Sequence, residues 1–96
     1  MKYRSRTDII STILQAAMPG ATKTRLMYSA FLSYAQIQEY VHFLIERRLI
    51  SFEEKSAQYK LTEQGLHYLR VYDDISAIVS LDGAKASEKF LPHIFA

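Results

Sequence analysis

Cysteine is absent from the 96-residue sequence. That single absence excludes a disulfide framework, a thiolate zinc site, an iron–sulfur cluster and a cysteine nucleophile together. Tryptophan is also absent, and glycine and proline number only three and two, far from the composition of a repetitive or low-complexity chain. No apolar run reaches the 18 or more residues of a membrane span. The charged N-terminus (Lys2, Arg4, Arg6) lacks the apolar stretch of a secretory leader, so the expectation is a cytoplasmic protein with no membrane partner. His42, His67 and His93 are scattered without an i, i+4 pair, and there is no glycine-rich phosphate loop or nucleophile elbow. Asp73 and Asp74 are adjacent, so on a helix they diverge by about 100° and share no site. No metal, no cofactor and no enzymatic activity are therefore expected.

What remains is an ordinary globular composition, 49% hydrophobic and 23% charged, in a chain long enough for one domain. The net charge of +2 conceals an uneven distribution. Residues 1–62 carry nine Lys/Arg against five acids, and residues 63–96 carry three against five. The surplus suggests a polyanion partner for the first two-thirds of the chain.

Periodicity and punctuation order the elements. Ile9, Ile10, Ile13, Leu14 and Ala17 form one helical stripe over residues 6–18, with Ser5 or Thr7 as cap and Pro19-Gly20 as stop. Thr22 caps a short second helix whose Leu26, Met27 and Ala30 face inward. Ser33-Tyr34-Ala35-Gln36 matches a reciprocal capping box, and a third helix follows with Ile37, Tyr40, Val41, Leu44 and Ile45 inward as far as Arg47-Arg48. Two alternating segments, 49–53 and 58–61, read as a hairpin around a turn without glycine, whose register stays open. Thr62 then caps a last helix running to about Leu81, with Asp82-Gly83 as its stop and Gly65 a mild cost in its first turn.

Three helices, a two-stranded hairpin and a further helix, with the second and third helices joined by the tight Phe31-Leu32-Ser33 connection, make a mainly α winged helix-turn-helix. Several segments carry a narrower resemblance: Gly20 to Thr24, Leu32-Ser33-Tyr34, Tyr40, Leu44, Leu49-Ile50 and Leu61 to Gly65. Over residues 5–80 the chain resembles the small archaeal winged-helix DNA-binding proteins, the Sulfolobus 10a-type chromatin proteins and related transcriptional regulators. The resemblance implies double-stranded DNA binding by the third helix and a homodimer built from the last helix as an antiparallel coiled coil. Gly83 and Pro92 depart from the longer uninterrupted helix of that family.

On this reading residues 1–62 form the winged core with its basic arm, 63–81 the packing and dimerisation helix, and 82–96 a tail. The candidate DNA-binding residues are Ser33, Tyr34, Gln36 and Gln38 on the reader helix, where a glutamine can pair with adenine. Lys23, Thr24 and Arg25 at the start of the second helix suit phosphate, as do Arg4 and Arg6 in the arm and Lys55 at the hairpin tip. Each has a plainer reading: Gln36 and the threonines as caps, the arm as a frayed terminus, the wing as electrically mixed beside Glu53 and Glu54. Glu39 and Glu46 on the reader helix repel phosphate. On the last helix, Tyr68, Tyr72, Ile75 and Val79 recur at heptad spacing beside a Leu66/Leu69 stripe, so two faces need partners. The second face is either a dimer interface or the seat of a folded-back tail (Phe90, Leu91, Ile94, Phe95). The competing function is a protein-interaction module on a winged-helix scaffold. A DNA binder of this size would be nucleoid-associated, as a regulator or an architectural protein.

Overall fold

The computed structural model describes residues 4–79. Six elements follow in the expected order: α1 (Arg6–Ala17), α2 (Lys23–Ser29), α3 (Tyr34–Glu46), β1 (Ile50–Glu53), β2 (Gln58–Leu61) and α4 (Glu63–Val79). The fold is mainly helical with a two-stranded hairpin, as the order of elements implied. The tail 82–96, with the expected stop at Asp82-Gly83, lies outside the described residues.

Each helix begins where a hydroxyl satisfies free backbone N–H groups. Ser5 accepts from the Asp8 N–H while the Asp8 carboxylate accepts from the Ser5 N–H, a capping box that settles Ser5 over Thr7. Thr22 accepts from the Arg25 N–H. Ser33 and Gln36 form the second box, at 3.2 and 2.9 Å. The Thr62 hydroxyl accepts from the Gly65 N–H and donates to the Arg48 carbonyl, fixing the start of α4 to the end of α3.

The helix ends are equally local. After α3, the N–H of Arg48 bonds the Ile45 carbonyl and that of Leu49 bonds the Leu44 carbonyl, with Arg48 at φ 60°. After α2 the same pattern joins Phe31 to Tyr28 and Leu32 to Met27, with Phe31 at φ 56°. Both are Schellman closures, in which glycine usually holds the left-handed position. Here an aromatic and an arginine hold it, at a cost glycine would avoid.

The core gathers Ile10, Ile13, Leu14 and Ala17 from α1, Ala21 before α2, Leu26 from α2 and Ala30 just after it, Ile37, Val41 and Leu44 from α3, and Leu49, Ile50 and Leu69. Tyr40, Tyr59 and Tyr68 are half-buried against it. Ile45, expected inward, is 40% exposed, because the buried line of α3 runs through Ile37, Val41 and Leu44 and leaves Ile45 on its shoulder. Phe43, which the expected stripe omitted, packs against the core on the opposite shoulder.

The hairpin pairs Ile50 with Leu61, Ser51 with Lys60, Phe52 with Tyr59 and Glu53 with Gln58. Ala57 at φ 54° completes the glycine-free turn. Tyr59 exchanges both its backbone hydrogen bonds with Ala21, at 2.9 and 2.7 Å, so the segment before α2 adds a third rung to the sheet. That rung aligns the start of α2 with the wing. Gly20, at φ +92°, holds the left-handed turn that leads into this rung, a backbone conformation that a side chain would strain.

Gly65 is far from a mild cost. It is buried, and a Cβ on it would fall on the Leu49 carbonyl oxygen and 2.6 Å from Leu61 Cδ1. Its absence lets α4 lie directly on the chain entering β1.

Candidate nucleic-acid interface

In a helix-turn-helix, the first turns of the second and third helices form one edge. Here the Tyr59–Ala21 rung fixes where α2 starts, and the short Phe31–Ser33 connection fixes where α3 starts relative to it. The two N-terminal turns meet through side chains. Lys23 donates from Nζ to Gln38 Oε1, and the same ammonium lies 5.7 Å from the centre of the Tyr34 ring, a cation–π contact. Lys23, Tyr34 and Gln38 are therefore one cluster, with Tyr34 62% exposed and Gln38 exposed. Thr24 and Arg25 lie exposed beside it. They line, with Gly20, Thr22, Tyr28 and Gln58, an open groove of about 850 Å³ between α2 and the wing.

Gln36 sits on the other side of the reader helix. Its carboxamide oxygen is committed to the Ser33 N–H, and the Ser33 hydroxyl accepts from the Gln36 N–H. The line opposite the buried stripe of α3 is Ala35, Glu39, His42 and Glu46, all exposed, with His42 Nε2 3.4 Å from Glu46 Oε2. The cationic margin of this helix is thus its Tyr34–Gln38 side, not its outermost line.

The two described arginines of the arm do not extend as a free strand. Arg4 donates from Nη1 to the Ala30 carbonyl at 2.5 Å and from Nη2 to the Phe31 carbonyl at 3.5 Å, capping the C-terminal end of α2 with positive charge. Arg6 lies over the rings of Tyr40 and Phe43, 5.2 and 4.8 Å from their centres. Both are exposed at their edges but anchored to the domain, so neither the frayed terminus nor the groove-seeking arm describes them. Lys55 stands exposed in the turn of the wing. Its neighbour Lys60 pairs with Glu53 at 3.1 Å, and Ser56 donates to the same carboxylate, which holds the Glu53 carboxyl below its usual range through the Ser56 hydrogen bond first and Lys60 second. The wing is neutralised from within.

The α4 residues divide. Tyr68 donates to the Thr7 carbonyl at 3.1 Å and Tyr72 donates to Asp8 Oδ1. The two rings stack, 6.4 Å apart at 9°. Tyr68 and Tyr72, expected on the dimerisation seam, are turned onto the N-terminal end of α1, because the phenol oxygens reach the Thr7 carbonyl and the capping carboxylate of Asp8. The Tyr72 hydrogen bond lowers the Asp8 pKa, and the same bond raises that of Tyr72. Ile75 and Val79 stay exposed at 53% and 62%, joined by Val71 and Ile78. A groove of about 440 Å³ runs between the α1 start and these residues.

Among the described residues no cluster of three metal-ligating side chains occurs, and no helix is long and apolar enough to cross a membrane. The Lys23–Gln38 pairing, the Arg4 cap and the Tyr72–Asp8 contact carry no sequence signal, since each joins residues 15 or more positions apart.

A winged helix-turn-helix family model matches residues 3–80. The chain belongs to the winged helix-turn-helix family. Among solved structures this winged-helix chain is similar to Sso10a-2, a DNA-binding protein from Sulfolobus solfataricus, at 19% identity and a TM-score of 0.72, covering 97% of this chain and 98% of that one. At that identity the likeness is one of fold. Comparison with curated proteins finds no match.

Proposed function

We propose that this winged-helix protein binds double-stranded DNA through the N-terminal turns of α2 and α3. The observation that carries the reading is the cluster in which Lys23 joins Tyr34 and Gln38 across the two helices, with Thr24 and Arg25 exposed alongside. It puts positive charge and hydrogen-bonding groups on the edge that helix-turn-helix proteins offer to a major groove. The similarity in fold to a DNA-binding protein over nearly the whole chain supports it. Arg25 holds phosphate, Ser33 and Tyr34 position the reader helix, and Lys23 and Gln38 face a base edge. A second copy docks on the exposed Val71, Ile75, Ile78 and Val79 of α4, which sets the spacing of two reader helices. The role is that of a transcriptional regulator or an architectural protein on the nucleoid.

Anisotropy titrations of a labelled duplex in rising salt test this. Affinity falls steeply, by about 0.9 in log K per phosphate neutralised for each decade of salt, and Arg25→Ala removes about one such increment. Absence of binding at low salt refutes the reading. One observation favours a protein-interaction module instead: the outermost line of α3 carries Glu39 and Glu46, and the wing is internally neutralised. Under that reading the titration is flat and Arg25→Ala is silent.

A further inference from the structure

Free glutamine carboxamides read adenine bidentately, the oxygen accepting from N6 and the nitrogen donating to N7. Neither glutamine of the reader helix is free in that sense. Lys23 Nζ and the Ser33 backbone N–H have only protons to offer, so the atoms that face them on Gln38 and Gln36 are the carboxamide oxygens. Each side chain is left with its NH₂ group unengaged by these bonds. At Gln38 that NH₂ sits beside an ammonium that keeps two further protons. The margin of α3 nearest α2 is consequently rich in donors.

We propose that the Lys23–Gln38 pair selects guanine in the major groove, an inference that rests on the duplex-binding reading above. Guanine presents two adjacent acceptors there, N7 and O6, whereas adenine sets its N6 amino group beside N7. Two neighbouring donors, Lys23 Nζ and Gln38 Nε2, match the first pattern and meet the second with a donor against a donor. Lys23 is thus a specificity-determining residue that faces the base edge, with the phosphate contact left to Arg25, because it withdraws the oxygen that Gln38 needs to read adenine. The exposed Glu39 carboxylate, one residue on, is an acceptor of the kind that takes the N4 amino group of the paired cytosine. Both features favour a G·C pair.

Anisotropy titrations at one salt concentration, with the full chain and four duplexes of equal length, test it. One contains guanine, one replaces every guanine by hypoxanthine, one replaces it by 7-deazaguanine, and one contains only adenine and thymine. Hypoxanthine keeps O6 and N7 but removes the minor-groove amino group, while 7-deazaguanine removes N7 alone. The guanine and hypoxanthine duplexes bind at least about fivefold more tightly than the other two. Lys23→Met, which frees the Gln38 oxygen, reverses the order to favour adenine, and Gln38→Glu, which keeps the Lys23 partner but exchanges the donor for an acceptor, abolishes the guanine preference. Equal affinity for all four duplexes, or an adenine preference in the unaltered protein, overturns the proposal and leaves DNA binding standing. Failure to bind any of the four at low salt defeats the functional reading itself.

Discussion

Replacing Gly65 by alanine opposes two effects of known sign. In an exposed helix the change stabilises by about 1 kcal/mol, because alanine loses less backbone entropy. At Gly65 the new methyl group falls on the Leu49 carbonyl oxygen, with Leu61 Cδ1 at 2.6 Å and the Leu49 carbonyl carbon at 3.2 Å. The obstruction is backbone, and that same oxygen accepts the Thr62 N–H at 3.2 Å, so it cannot withdraw without losing a hydrogen bond at the base of the wing. Overpacking of this kind costs about 1–3 kcal/mol, and the weakened bond about 1 more. After the propensity gain is subtracted, a net loss of about 2 kcal/mol is expected. For a domain of this size that lowers Tm by about 8–16 °C. Circular dichroism melts of the two proteins at one concentration measure it. A variant melting at or above the parent temperature would show that α4 does not lie against the Leu49 backbone, and the reasoning from close approach would be wrong.

Phe31→Gly acts in the opposite direction: the side chain is 85% exposed and its backbone is left-handed, so urea unfolding should show a gain of about 1 kcal/mol. Asp8→Asn weakens the junction of α1 and α4 by a few tenths to about 1 kcal/mol at pH 7, in the range of exposed charged contacts. The Asp8 pKa is lowered in the folded state, so its contribution is present above the ordinary carboxylate range and is lost as pH falls through the lowered value; urea midpoints of the two proteins should converge in strong acid. Tyr72 has a raised pKa, so the contribution of its protonated hydroxyl persists at neutral pH and fades as pH rises through the raised value, which Tyr72→Phe reports as convergence in strong alkali. Ile75→Asp places a charge on the exposed α4 line, and sedimentation should show a dimer of the parent protein and a monomer of the variant; two monomers would remove the proposed interface.

How far the sequence reaches depends on the distance over which each determinant acts. Helix starts were legible because Ser5, Thr22, Ser33 and Thr62 cap groups three residues away. The core stripes were legible for the same reason, except where the turn of α3 put Phe43 inward and Ile45 outward. The Gly65 contact, the Ala21–Tyr59 rung and the pairing of Lys23 with Gln38 join separate elements, and no spacing rule encodes them. Tyr68 and Tyr72 kept a heptad rhythm with Ile75 and Val79, yet phenol oxygens can satisfy α1 whereas aliphatic side chains cannot. Periodicity counts those four as one face; hydrogen-bonding chemistry splits them.

The segment from Arg4 to Asp8 links the two ends of the molecule. Arg4 closes the turn between α2 and α3, Arg6 lies on the α3 rings, and Asp8 with Thr7 receives the hydroxyls of α4. A dimer formed through the exposed side of α4 would therefore hold its reader helices through this short stretch as well as through the core. Hydrogen bonds are directional, so those of Tyr68 and Tyr72 fix the rotation of α4 against α1 in a way that apolar packing alone leaves looser, while Arg6 over Tyr40 and Phe43 ties the start of α1 to α3. Half-site spacing in a two-fold complex depends on that rotation. On the proposed reading, the arginines of the arm bear on DNA recognition by holding the frame, and the contacts themselves fall to Lys23, Arg25, Tyr34 and Gln38.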